Sequence, residues 1–176
     1  VNTLFGGRFT SKLNTALRID SGLTYGAASS FERRKQPGAF FINSYTQNDS
    51  TEKALDMALK ALIDLHEKRF TDAELASAKA YIKGQFGPRV ETADQLADLM
   101  IKFEIYGLDK KEVDDYAARI DAVTSADVRR VIEKDYPTTN LAFTIIGKAS
   151  QVEPVIKKYS AQIDTRSISD PGFGKK

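Results

Sequence analysis

The sequence has no cysteine, no tryptophan and one histidine among 176 residues. Alone, this chain therefore cannot build a Cys/His zinc site, an iron–sulfur centre, a disulfide framework or a cysteine nucleophile. Long apolar runs are missing too. The most apolar stretch, Leu141 to Ile146, falls far short of the roughly 20 residues that span a membrane. Charge of one sign is equally absent: 26 basic side chains face 24 acidic ones, a net of +2. That balance argues against nucleic acid as the main partner. A chain without cysteine suits any redox compartment, so periplasm and cytoplasm both stay open for a bacterial protein.

What is present is ordinary for a folded domain. The chain is 41% apolar, 28% charged and 10% aromatic, outside the disordered regime. Its length suits one domain, able to bury about 70% of its extended-chain surface. We expect that domain over residues 1–160, with a loose tail over 161–176 in which periodicity is lost from Ile163 onward. The first residues carry no Met, charged n-region or apolar h-region, and Val1-Asn2-Thr3-Leu4-Phe5 reads as the end of a structured element. The expectation is a piece of a longer protein.

Periodicity orders the elements. Gly6-Gly7 interrupts any helix arriving from upstream, since each glycine costs about 1 kcal/mol relative to alanine. A short helix follows from about Ser11 to Arg18, with Leu13 and Leu17 on one face and Ser21-Gly22 ending it. Alternation over Leu23 to Phe31 and an aromatic-rich run over Ala39 to Thr46 predict an antiparallel hairpin around Arg33-Arg34-Lys35-Gln36-Pro37-Gly38. Asp49-x-x-Glu52, Thr71-x-x-Glu74 and Thr92-x-x-Gln95 read as capping boxes of three helices. The third is expected to turn Leu96, Leu99, Met100 and Phe103 inward. Shorter helices are predicted at about 111–121 and 125–134. Leu141 to Ile146 should form a strand buried on both faces, and Ser150-x-x-Glu153 should cap a last helix ending near Tyr159. The sum is an α+β fold, helices packed on a mostly antiparallel sheet. A first strand ahead of Val1, expected to be missing, would complete a split β-α-β arrangement.

Few side chains suggest chemistry by themselves. His66 lies on the apolar stripe of its helix, and Phe70 occupies the position where a metal-binding pair would need a second His, so a histidine at the core margin is expected. Arg33-Arg34-Lys35 reads as a solvated hairpin tip. Asp114-Asp115 and Asp72/Glu74 fall on exposed helix faces or near a helix start, where the helix dipole accounts for them. Gly6-Gly7-Arg8-Phe9-Thr10-Ser11 lacks the Lys-Ser/Thr ending of a phosphate-binding loop.

The order of these pieces nevertheless resembles a known family. Asn2-Thr3-Leu4-Phe5-Gly6-Gly7-Arg8-Phe9-Thr10-Ser11-Lys12-Leu13 is similar to the "N-x-x-L-G-G-x-F-x-S-R-L" segment of the pitrilysin/insulinase-type (M16) zinc peptidases. Leu17-Arg18 followed by Gly22-Leu23-Thr24-Tyr25 resembles the "L-R-x-x-x-G-x-x-Y" continuation. Thr71 to Lys79 resembles "T-x-x-E-L-x-x-A-K", and Ile120 to Val128 resembles "I-x-x-V-T-x-x-D-V". Lys12 stands where Arg is commoner and Phe5 where Leu is.

The resemblance implies the helix-flanked mixed sheet of LuxS/MPP-like metallohydrolases, used in homologous copies that close on each other. One copy carries zinc on H-x-x-E-H. The other lacks the metal and supplies an Arg and a Tyr seven residues apart. This sequence has no H-x-x-E-H and does have Arg18 and Tyr25. It therefore resembles the C-terminal, metal-free half, inactive alone, with no cofactor of its own. Zinc would sit in a homologous partner domain or subunit, and a peptide would be the substrate. By the same resemblance, Arg18 would grip a substrate carbonyl and Tyr25 would bond the tetrahedral intermediate. The alternative is a structural or assembly subunit on the same fold.

Overall fold

Two features decide the first thirty residues: a pair of glycines and a buried asparagine. The computed structural model describes residues 1–68 and 70–170. Helix α1 is a single turn, Asn2–Phe5, and Gly6 follows it. A side chain there is impossible without a shift, because a Cβ would stand 2.3 Å from the Ser29 hydroxyl and 2.6 Å from its backbone nitrogen. The close approach lets the Gly6 carbonyl accept the Ser29 N–H at 3.0 Å. Asn2 completes the clamp, donating through Nδ2 to the Ser29 carbonyl at 2.8 Å.

Helix α2, Lys12–Asn14, is capped by Ser11, whose hydroxyl accepts the Asn14 N–H at 3.4 Å. It runs on into a π-helical stretch, Thr15–Asp20. Gly22, at φ +63°, then turns the chain in the left-handed region that glycine tolerates. The Gly22 N–H reaches the Arg18 carbonyl and the Leu23 N–H the Leu17 carbonyl, closing the helix end.

The hairpin forms as its alternation predicts, but shorter. Strand β1 is Ala27–Phe31 and β2 is Phe40–Ser44, antiparallel, with Ala27 opposite Ser44 and Phe31 opposite Phe40. Residues Leu23 to Gly26 stay outside the ladder because Thr24 folds back locally. Its hydroxyl donates to the Gly26 carbonyl at 2.9 Å and accepts the Gly26 N–H at 3.1 Å.

The long helix α3, Thr51–Glu67, is entered through a 3-10 turn at Asn48–Ser50, and no side chain caps it. The expected Asp49/Glu52 box is therefore not formed. The boxes Thr71/Glu74 and Thr92/Gln95 do form, opening α4 (Asp72–Gly84) and α5 (Ala93–Tyr106). One expected helix breaks at Asp115 into α6, Lys111–Asp114, and α7, Tyr116–Ala122. Helix α8, Ser125–Asp135, starts on a third box, Thr124/Asp127. Helix α9, Ala149–Ile156, has no side-chain cap at Lys148 and ends before Tyr159. The expected Ser150/Glu153 cap is absent.

The core gathers Phe5, Leu13, Leu17 and Ala27 from the first part against Leu62 and Leu65 of α3 and Val128, Ile132 and Tyr136 of α8 and its end. Tyr136 is the largest fully buried side chain; its ring meets Phe40 at 4.7 Å, Phe31 at 5.3 Å and Phe5 at 5.8 Å between centroids. Burial pushes its phenol well above the ordinary tyrosine value.

Two expectations fail. Leu141 to Ile146 is extended but joins no ladder, so the sheet has two strands among the described residues. Its burial alternates, Phe143 and Ile145 partly covered, Thr144 and Ile146 exposed, rather than being buried on both faces. Helix α5 has no buried residue: of the four side chains expected to face inward, Leu99 and Phe103 are half-buried, while Leu96 and Met100 are 46% and 70% exposed. An amphipathic pattern says a helix can bury a face; covering it requires a neighbour, and among the described residues nothing buries a side chain of α5. The α+β class stands. Residues 171–176 of the expected tail lie outside the described residues.

Candidate functional site

Arg18 and Tyr25 meet. The Arg18 guanidinium carbon lies 4.6 Å from the centroid of the Tyr25 ring and 4.8 Å from that of Phe9, inside the range of cation–π attraction. Both rings face solvent, Tyr25 being 84% and Phe9 59% exposed. The three side chains therefore form a small raised cluster on the surface.

Each is delivered by a different piece of backbone. Arg18 sits in the π-helical stretch, not at the end of an α-helix, and such wide turns reorient side chains relative to a regular helix. Tyr25 precedes β1 by two residues, on the bend stabilised by Thr24, rather than lying three residues into a strand. The hydroxyl of Thr46 ties the same loop down by donating to the Leu23 carbonyl at 2.9 Å.

Phe9 and Asn14 carry parts that sequence reasoning did not assign. Asn14 is buried; its Nδ2 donates to the Phe9 carbonyl at 2.7 Å and its Oδ1 accepts the Ala27 N–H at 3.0 Å. One amide thereby fixes the loop bearing Phe9 and the strand that follows Tyr25. The available signal was an exposed-type aromatic two residues after Gly-Gly and an Asn one position after a core Leu; neither is strong in isolation.

The arrangement presents guanidinium N–H groups and a phenol O–H from a fixed, solvent-facing platform. These are hydrogen-bond donors for carbonyl oxygens or developing oxyanions. Nothing in it activates water or supplies a nucleophile.

The remaining candidates have structural employment. His66 Nε2 lies 2.7 Å from the Tyr136 carbonyl; a carbonyl only accepts, so Nε2 carries the proton and links α3 to the end of α8. Arg34 pairs with Glu32 at 3.0 Å at the hairpin tip, and the Arg33 carbonyl accepts from the Tyr106 hydroxyl at 3.1 Å. Asp114 pairs with Lys110 at 3.0 Å, and Asp115 lies between α6 and α7. Asp72 accepts from the Ser125 hydroxyl at 3.3 Å. Glu74 closes its capping box and pairs with Lys12. The Lys12 ammonium, foremost, with the Thr71 N–H behind it, holds the Glu74 carboxyl below the usual range. The Gly6-Gly7 backbone is occupied by Ser29 and Asn2, leaving no phosphate cradle.

Among the described residues, no group of three His, Cys, Asp or Glu side chains could hold a metal ion. The side chains present do not fit a zinc site. No described helix is long and apolar enough to cross a membrane.

Known proteins match this chain on sequence and fold. Residues 1–82 match the family model described as Peptidase M16 inactive domain. A Bacillus subtilis (strain 168) protein named "Probable inactive metalloprotease YmfF" is 28% identical over 133 residues, which is 76% of this chain and 30% of that protein. A Streptomyces coelicolor protein named "Uncharacterized zinc protease SCO5738" is 28% identical over 147 residues, 84% of this chain and 32% of its own length. The chain thus spans about a third of these relatives. The crystal structure of a peptidase M16 inactive domain from Pseudomonas fluorescens superposes with a TM-score of 0.70 at 23% identity, over 78% of this chain and 33% of that one. A protease from Helicobacter pylori gives 0.64 at 22% identity, over 78% and 33%. At such identities the structures speak for the fold alone. Residues 1–82, which hold Arg18 and Tyr25, are thus the part of the chain similar to the Peptidase M16 inactive domain.

Proposed function

We propose that this chain is the non-catalytic, substrate-contacting half of an M16-type zinc metalloendopeptidase. Its partner is a homologous half bearing the zinc, joined upstream in the same polypeptide or supplied as a separate subunit. The substrate is an extended peptide. The observation that carries the reading is the exposed cluster in which Arg18 packs against Phe9 and Tyr25.

The division of labour follows from what the side chains can do. Metal chemistry belongs to the partner. Arg18 has five N–H donors and never loses its charge, so it can hold a peptide carbonyl. Stacking on two rings limits its rotamers and lowers the entropy lost when substrate binds. The Tyr25 phenol donates one hydrogen bond to the oxygen that gains charge as the amide carbon becomes tetrahedral. A preplaced donor of this type is worth about 10²–10³ in rate.

A second reading has its own support. One relative is named an inactive metalloprotease over a length three times that of the region matched here. In that reading the Arg18 cluster is structural and the chain contributes an assembly surface.

Reconstitution separates the two. The chain is mixed with its zinc-bearing half and assayed on a quenched fluorescent peptide library. Cleavage that needs both halves and falls about a hundredfold in Arg18→Ala supports the peptidase reading. Association without cleavage, or an Arg18→Ala variant as active as wild type, gives the assembly reading the lead.

A further inference from the structure

A cavity of about 500 Å³ opens between the segment Leu4 to Asp20 and helices α3 and α4, within the roughly 300–1,000 Å³ of small-ligand sites. Its apolar wall includes Phe5, Met57, Ala61, Leu65 and Phe70. Four cations, Arg8, Lys12, Lys60 and Lys68, share the lining with three carboxylates, Asp20, Asp64 and Glu74. How those charges pair decides what the cavity can accept.

Most of the charge is already engaged. Asp64 holds Lys60 at 3.0 Å and Lys68 at 2.8 Å, and Glu74 holds Lys12. Asp20 stands exposed, about two helical turns further along the chain than Lys12. Arg8 is different, because among the described residues its guanidinium meets no carboxylate. Its Nη1 donates to the Ser77 hydroxyl at 3.0 Å, and the guanidinium carbon lies 6.0 Å from the centroid of the Tyr81 ring. Its Nε is buried with no acceptor. A buried donor of a charged group is unfavourable while it is unmet. Nε is also one of the N–H groups through which an arginine grips a carboxylate in paired geometry. Turned toward the cavity, that edge would exchange an unmet donor for a charge-assisted pair.

We propose that this cavity binds an amphiphilic carboxylate, a single carboxylate on a compact apolar body, with the head on Arg8 and the body against Met57, Leu65 and Phe70. The lining carries one more cation than it has carboxylates, which leaves a place for one negative charge. An ammonium head would set like charge beside Arg8, and an uncharged head would leave that guanidinium without an anion. Two sources carry this chemistry: an alkyl acid of medium length, and the C-terminus of an apolar peptide. The inference rests on Arg8 and the cavity, and holds whether or not Arg18 and Tyr25 touch a substrate.

The chain's two methionines supply the probe. Met57 lines the cavity, while Met100 stands exposed on α5 and is not part of the lining. With both methyl groups carbon-13 labelled in the 176-residue chain, octanoate should shift Met57 saturably and leave Met100 in place. Octanamide and octylammonium, of the same length, should bind about tenfold more weakly or worse. The Arg8 Nε–H resonance should move with the carboxylate and not with the amide. Arg8→Gln should lose about tenfold in octanoate affinity while keeping wild-type octanamide binding, which shows that the variant folds. Acetyl-leucyl-phenylalanine, as free acid and as amide, divides the sources. An acid that outbinds both its amide and octanoate assigns the peptide terminus, and one that binds more weakly than octanoate assigns the alkyl acid. Equal binding of octanoate and octanamide overturns the proposal, since the cavity then selects only for apolar surface. So does a Met57 shift matched at Met100, an Arg8 Nε–H resonance that stays in place, or an Arg8→Gln variant that binds octanoate like wild type.

Discussion

Residues 1–31 and residues 91–122 are of similar length and both read as amphipathic, yet they end in opposite conditions. The first contributes Phe5, Leu13 and Leu17, each 1% exposed or less, and is stitched by Asn2, Gly6 and Asn14 to β1. The second, holding α5 to α7, contributes no buried residue. The lesson is that hydrophobic periodicity gives a segment the means to bury a face, while specific backbone contacts decide which segment the core is built on. The residues matching the family model are on the committed side of this contrast.

The contrast breaks most sharply at Leu13 and Met100. Truncating a fully buried leucine costs about 2–5 kcal/mol, so Leu13→Ala should lower the denaturation midpoint strongly. Met100, 70% exposed, should tolerate alanine within about 0.5 kcal/mol. Equal effects in urea titrations would show that α5 is packed after all.

Gly6→Ala comes next. Its Cβ would strike Ser29, whose N–H and hydroxyl are both engaged. A cost of about 1–3 kcal/mol is expected for this forced overlap. Gly84→Ala, where a Cβ meets nothing within 4 Å, should be neutral or slightly stabilising. Thermal melts of the two variants check the pair, and the reverse order would contradict the clamp.

Much of this was legible in advance, for reasons that can be named. Thr71/Glu74 and Thr92/Gln95 announce helix starts because their bonds are local and need no tertiary partner. The Asp49/Glu52 box failed because the chain enters α3 through a 3-10 turn, which shifts the helix start past Asp49. Leu141 to Ile146 has strand composition, but a strand is a relation between two segments, and composition names only one of them. The pairing of Arg18 with Tyr25 followed from family resemblance. The third member, Phe9, is placed by Asn14 across five residues of chain and by the π-helical turn, and no sequence period encodes either.

The smallest expected effect is electrostatic. Glu74 is held below its ordinary value, first by Lys12, so its contribution is present above the unfolded pKa and fades as pH falls through the folded one. Both partners are partly exposed, which limits the gain to about 1 kcal/mol or less. Melting temperature followed from pH 6 down to 2 should fall less steeply in Lys12→Gln than in wild type. Parallel curves would mean that the pair adds nothing.

The central claim is that the exposed cluster acts on substrate, and Tyr25→Phe tests it most directly. Phenylalanine keeps the ring that packs on Arg18 and removes only the hydroxyl. In the reconstituted assembly, kcat should fall about a hundredfold, while KM and the melting temperature of the isolated chain stay at wild-type values. Unchanged kcat, or a loss that tracks a fall in stability, would contradict a role for the phenol in the reaction.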